Sequence, residues 1–381
     1  MNATTEARAG ARIHYIDNLR IFLTMLVICH HLAMGFGAPG GWYYVIPAQP
    51  SPLTTALLSL FVIINQSFFM SLFFFVSAYF TPRSLDKKNT NHFLRDRLKR
   101  LGIPLAVFFL ILNPTLAYIS FRFRGEKEYG YLKFMLQEGH YYFGCGPLWF
   151  VFSLLLFTGV YLLLCKWLQR HSAGSGPLSY PSNKSVLLFI LGITVLTFLV
   201  RIMFPIDAPV CDLKFAFFPT YIAFFVFGIH AFRADWLGQL DNRQVRLWFF
   251  LAVVSIVALP VIFEIGGASR GLGNTFQGGF TVQSLVYILC ETIVCVGISM
   301  KLLSLFQARV NTTSPLTARL SKSAYTVYII HPFLVIAATF LARNWSFPPL
   351  LSFLLLLLPV IAASFVAGHF ISRLPLLNKV L

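Results

Sequence analysis

Charge is scarce in this chain. Only 11% of its 381 residues are Asp, Glu, Lys or Arg, and acidic residues number 13. With 57% hydrophobic residues, 41 Phe and a mean hydropathy of +0.74, such a chain cannot present its surface to water, which excludes a soluble globular protein. No polar stretch is long enough to form a sizeable soluble domain, so any chemistry belongs to a membrane bundle or its loops. Metal and redox motifs are missing too. Cys29, Cys165, Cys290 and Cys295 fall in or beside apolar runs, Cys145 and Cys211 fall between them, and no C-x-x-C pattern occurs. No repeat of 20 to 50 residues is visible, which weakens a transporter built from inverted repeats.

What is present is a succession of apolar runs separated by Pro, Gly and charge. Runs of about 20 residues suffice to cross a bilayer. They predict ten spans at residues 16–36, 53–80, 101–121, 148–167, 186–204, 214–232, 247–265, 280–302, 324–342 and 349–371, an all-α polytopic bundle. With the N-terminus in the cytoplasm, 21 Lys and Arg fall in inner segments and 8 in outer loops, and Arg20 completes the 30. That bias predicts both termini inside. The domain organisation expected is a cytoplasmic tail (1–15), a ten-helix domain (16–371) and a second cytoplasmic tail (372–381). The net charge of +17 is spread between apolar segments, so its counterpart is an anionic lipid surface rather than nucleic acid. Arg8 and Arg12 precede the first apolar run as in a secretory signal, but the polar groups inside the run and the nine spans behind it predict an uncleaved helix. The longest outer connection, 122–147, is rich in Tyr and is a candidate substrate-facing loop.

The first span, IDNLRIFLTMLVICHHLAMGF, carries charged and titratable groups inside an apolar helix. A charge near the bilayer centre costs roughly 2.5 to 3.5 kcal/mol on insertion scales, so Arg20, His30 and His31 need an interface, a protein-lined cavity or a partner. At ~3.6 residues per turn and ~1.5 Å per residue, Arg20 and His31 face within ~20° of each other and lie ~16 Å apart. Asp17, Arg20, Thr24 and His31 therefore form one polar stripe, which favours a shared cavity, while His30 points elsewhere. From this helix alone, a snorkelling Arg20 and a helix-packing His31 fit equally. A second feature is the basic run Arg95, Arg97, Lys99 and Arg100. It serves as a topological flank lying against lipid phosphates, or as a surface for an anionic cytosolic ligand, since Arg forks suit phosphate oxygens.

Taken in order, YIDNLR with His31 eleven residues after Arg20, FFFVSAYF (73–80), RDRLKRLGIP (95–104), GPLWFV (146–151) and SAYTVYIIHP (323–332) resemble the acyltransferase-3 family of membrane acyltransferases over essentially the whole chain. The resemblance implies a ten-helix enzyme of a bacterial-type inner membrane. Such an enzyme moves an acyl group, usually acetyl or succinyl, from cytosolic acyl-CoA to hydroxyls of envelope glycans or related acceptors. It implies His31 as the catalytic residue, Arg20 as an aid to donor binding, and Arg95, Arg97 and Arg100 as contacts for the CoA phosphates. Acyl-CoA is then a donor substrate, and no permanently bound cofactor or metal is expected. The second-helix motif of the family usually reads Ser-Gly, whereas this chain has Ser77-Ala78, whose extra methyl reduces close backbone approach. The RLGIP and LWF pieces resemble the glucan succinyltransferase branch and leave the acyl group open. Some members carry a fused esterase-like domain. No such domain is expected after the tenth span, and acceptor handling is expected to use the bundle or a separate partner.

The chemistry fits the helix independently. Acylating a hydroxyl needs a base, and an imidazole with reference pKa ~6.5 suits that task near neutral pH. The ~16 Å between Arg20 and His31 is also comparable to the reach of a pantetheine arm. Candidate substrate contacts are Asp17, Ser77, Trp149, Glu291 and His331. Glu291, in mid-span, must be protonated or paired. His331, followed by Pro332, sits at a kink or packs by hydrogen bonding. Trp149 fits an interfacial aromatic belt, and Arg201 an interfacial anchor or an acidic-acceptor contact. A competing function is a secondary transporter or proton-coupled exporter using Arg20, His31 and Glu291 as a relay.

Overall fold

The computed structural model describes residues 13–375 except 127, 172–178, 209 and 211, together with 377 and 380. Of the residues named above, Arg8, Arg12 and Cys211 lie outside the described residues, as do most of the 1–15 tail and two of the basic residues counted for orientation, Lys127 and Lys379. Among the described residues ten helices are long and apolar enough to cross a membrane: α1 His14–Gly35, α2 Pro52–Asp86, α3 Thr90–Arg124, α4 Gly146–Leu164, α5 Asn183–Met203, α6 Phe215–Arg233, α7 Asn242–Arg270, α8 Val282–Arg309, α9 Pro315–Asn344 and α10 Pro349–Ile371. The only β pairing described is an isolated bridge, Val210 to Leu213.

All ten expected spans are present, and their ends differ where polar helix formers extend the apolar runs. The third span, expected from 101, begins at Thr90, because the basic run is itself helical. The ninth, expected from 324, begins at Pro315. Hydropathy marks the apolar part of a helix, whereas Arg, Lys, Gln and Glu propagate a helix as well as Leu does. Within α3 the backbone widens twice, at Leu98–Gly102 and Phe108–Leu112, into turns in which Ile103 and Asn113 donate to carbonyls five residues back, those of Leu98 and Phe108. Pro104 and Pro114 follow these turns immediately. A proline removes one donor and crowds the carbonyl four residues before it, so a wider turn relieves the clash and keeps the helix running.

The chain divides into two compact units: the chain up to Arg20 with Ser67–Arg95 and Phe157–Ser314, and Ile21–Gln66 with Asp96–Leu156 and Pro315–Leu381. The first holds α5 to α8 entire. There Gly297 of α8 lies against the backbone carbonyl of Trp248 in α7, and a side chain at 297 would push these helices apart. The second holds α9 and α10 entire. Its core joins Ile28 and Leu32 of α1, Phe36 in the turn that follows it, Leu58 and Val62 of α2, Val335 of α9 and Phe353 of α10.

Candidate active site

The unit containing α9 brings two of the sequence-selected histidines together. His31 Nδ1 lies 2.8 Å from His331 Nε2, with the ring centroids 5.0 Å apart and the planes 10° from parallel, so the two rings meet edge to edge in nearly one plane. His331 is fully buried, while His31 is only partly so. The other face of the arrangement is Trp42, from the loop after α1. Its ring stacks on His31 at 4.2 Å and 14°. The Trp42 indole Nε1 is a buried donor with no hydrogen-bond partner among the described residues.

His30 is turned to α2, where its Nδ1 lies 3.3 Å from Asn65 Nδ2, and Asn65 also donates to the Leu26 carbonyl. Neighbours in sequence thus have different partners, as their ~100° separation around the helix requires.

The loops around this cluster are held by the motifs noted in the sequence. The Tyr328 hydroxyl of α9 donates to the Pro147 carbonyl, and Phe150 meets the Tyr328 ring edge-on at 6.1 Å. GPLWFV and SAYTVYIIHP therefore touch. Gly146 adopts φ +43° and lies against the Tyr43 hydroxyl and Asn113, where any Cβ would collide. Tyr43 donates to Asn113 Oδ1, and Asn113 Nδ2 donates to the Tyr142 carbonyl at 2.9 Å. This ties the Trp42 loop to α3 and to the Tyr-rich 122–147 connection. Trp42 and Asn113 were missed in the sequence. A loop tryptophan gives no periodic signal, but Asn113-Pro114 inside an apolar run is a polar interruption that pointed to a partner. Trp149 itself is half-buried, and its carbonyl accepts from Ser153.

In the other unit, Arg20 forms an ion pair with Asp17 at 3.4 Å, and its guanidinium lies 5.9 Å from the Phe80 ring centroid. With 35% of its side chain exposed, Arg20 keeps part of its charged end accessible. The Ser77 carbonyl accepts from Thr81 Oγ1 at 3.2 Å. Glu291 is not alone: its Oε2 lies 2.6 Å from Arg201 Nη2. Arg201 is fully buried, donates from Nε to the Ala216 carbonyl, and lies between the rings of Phe217 and Tyr287 at 4.8 and 5.8 Å. The interfacial-anchor expectation for Arg201 is thereby corrected, because a guanidinium enclosed by protein cannot reach lipid headgroups. Along α3, Arg95, Lys99 and Arg100 are exposed and Arg97 is half-buried. Among the described residues no cluster of three or more His, Cys, Asp or Glu is arranged to hold a metal.

Comparison with known proteins agrees with this architecture. The acyltransferase-3 family, described as an acyltransferase domain, matches residues 13–369. The Glucans biosynthesis protein C of Salmonella typhi and that of Salmonella typhimurium are each 24% identical over 377 residues, covering 96% of this chain and 94% of theirs. That of Salmonella heidelberg is 23% identical with the same coverage. No solved structure matches. The chain belongs to the acyltransferase-3 family, and it is an integral, multi-pass membrane acyltransferase.

Proposed function

We propose that this enzyme transfers an acetyl- or succinyl-class acyl group from acyl-CoA to a hydroxyl of a glucan or related envelope glycan, with His31 as general base. The observation that carries the reading is the partly open His31 ring, covered on one face by Trp42 and held at its edge by the buried His331. The acceptor class is suggested by the names of the relatives.

The reaction balances without a cofactor. The acceptor O–H gives its proton to His31 as its oxygen attacks the thioester carbonyl. The tetrahedral intermediate collapses with loss of the C–S bond, and the departing thiolate of CoA takes the proton back from His31. A developing oxyanion needs a donor, and the buried, unpartnered indole N–H of Trp42 beside His31 is suited to supply one.

Arg20, with Arg95, Arg97 and Arg100, contributes positive charge for the phosphates of the donor, entering from the cytoplasmic side. Arg20 precedes His31 by eleven residues in the sequence, the spacing from which a shared role is proposed. Glu291 we assign to Arg201 as an internal pair, and we leave Asp17, Ser77 and Trp149 as secondary contacts around donor and acceptor. The membrane proposed is the inner one, with both termini in the cytoplasm. Impermeant thiol labelling of intact cells tests this orientation: a cysteine at 133 is expected to label from outside and one at 97 not to. Labelling of position 97 from outside would overturn the orientation and the cytosolic donor with it.

A further inference from the structure

Helix α9 contains the sequence Tyr328-Ile329-Ile330-His331-Pro332. Pro332 has no N–H, so the Tyr328 carbonyl four residues back loses the helical donor it would otherwise accept. His331 supplies the substitute: its Nδ1 lies 2.8 Å from the Tyr328 oxygen. A carbonyl only accepts, so His331 Nδ1 must carry the hydrogen. A fully enclosed imidazole is far cheaper to hold neutral than charged, and a neutral ring protonated at Nδ1 presents a bare lone pair at Nε2. His31 Nδ1 lies 2.8 Å from that lone pair and must therefore donate to it. Neutral His31 then has its own lone pair on Nε2.

We infer that His331, itself oriented by the Tyr328 carbonyl that Pro332 leaves vacant, is a positioning residue that fixes the tautomer of His31 so that Nε2 is the basic nitrogen. The inference rests on the proposed role of His31 and extends it. Each link follows from the one before: proline frees a carbonyl, the carbonyl sets His331, and His331 sets His31. When His31 takes the acceptor proton on Nε2, its Nδ1–H remains bonded to His331 Nε2, so the imidazolium forms without rearrangement. His331 touches no reacting atom. Its work resembles that of the carboxylate in a hydrolase triad, with a neutral imidazole in that place. A neutral acceptor suits a low-dielectric setting, where a second buried charge would be costly.

The test compares His331→Phe, which keeps the volume and removes the acceptor, with His331→Gln, whose amide oxygen can accept from His31 and whose amide N–H can donate to Tyr328. Both are purified, shown to be folded by size exclusion and thermal unfolding, and assayed for kcat, KM and acyl-CoA affinity, alone and combined with His31→Ala. We expect His331→Phe to lose at least about 100-fold in kcat with donor affinity unchanged, and His331→Gln to recover to within about tenfold of the parent. Adding His331→Phe to His31→Ala should cost nothing more, because the two residues act as one unit. Equal damage by Phe and Gln, or a further loss in the double variant, would show a packing role and overturn the inference. Parental turnover in folded His331→Phe alongside an inactive His31→Ala would remove the tautomer lock and leave His31 as base. Parental turnover in His31→Ala would instead remove the base assignment itself.

Discussion

Two buried polar pairs, one in each compact unit, invite comparison. His31 and His331 meet at 2.8 Å, Arg201 and Glu291 at 2.6 Å, and each pair joins helices far apart in sequence. They differ in charge and in access. The Arg201 and Glu291 side chains are 0% and 8% exposed, fixed further by the Ala216 carbonyl and two aromatic rings. Both charges are committed to each other. In the histidine pair one ring is fully buried and the other is only partly so, and the tautomer argument leaves a lone pair on the more open ring. Burial of a polar pair therefore does not by itself mark a catalytic site. A neutral pair with one accessible member can pass a proton, whereas an enclosed ion pair holds helices together.

The comparison can be broken most sharply at His31. His31→Ala should lower kcat by about 10² to 10⁴ with folded yield and acyl-CoA affinity preserved, as measured by steady-state kinetics and equilibrium donor binding. Arg201→Ala should do the reverse. It strands a buried carboxylate and should destabilise the protein by roughly 3 to 5 kcal/mol, seen as lost folded yield or earlier thermal unfolding. Replacing Arg201 and Glu291 together with Leu should restore much of that loss, since removing a buried pair whole is often close to neutral. A smaller effect is expected from Arg95→Gln with Arg97→Gln. Donor affinity should fall roughly tenfold and its salt dependence should flatten, while kcat at saturating donor stays near the parental value. An unchanged affinity and salt slope would leave the basic run as a topological flank alone. The smallest effect is expected from His30→Ala, within a few-fold of parental turnover, because His30 is directed to Asn65.

Much of this was legible in the sequence for definite physical reasons. Apolar runs of membrane length gave the ten helices, and helical spacing separated the faces of His30 and His31 before either had a known partner. Cost alone required Glu291 to be either protonated or paired, because an unpaired carboxylate in mid-span is expensive, and the fold shows the pair. Its partner was not legible, since Arg201 is 90 residues away and nothing local to either residue indicates the meeting. Trp42 escaped for a related reason: its place against His31 depends on how the loop after α1 is tied to α3 through Tyr43 and Asn113. His331 is an intermediate case. The vacant Tyr328 carbonyl was implicit in a proline four residues later, but that His331 fills it, and that His31 lies behind, required the folded chain.

The central claim is that thioester cleavage and acceptor acylation are one event dependent on His31. The most direct test follows free thiol and ester together, with purified protein in vesicles supplied with an acyl-CoA and a glucan acceptor. The account predicts thiol and acylated glucan in equal amounts, both abolished by His31→Ala and both retained by His30→Ala. Passage of the glucan across the vesicle membrane with neither thiol nor ester formed, or equal ester formation by His31→Ala, would contradict it.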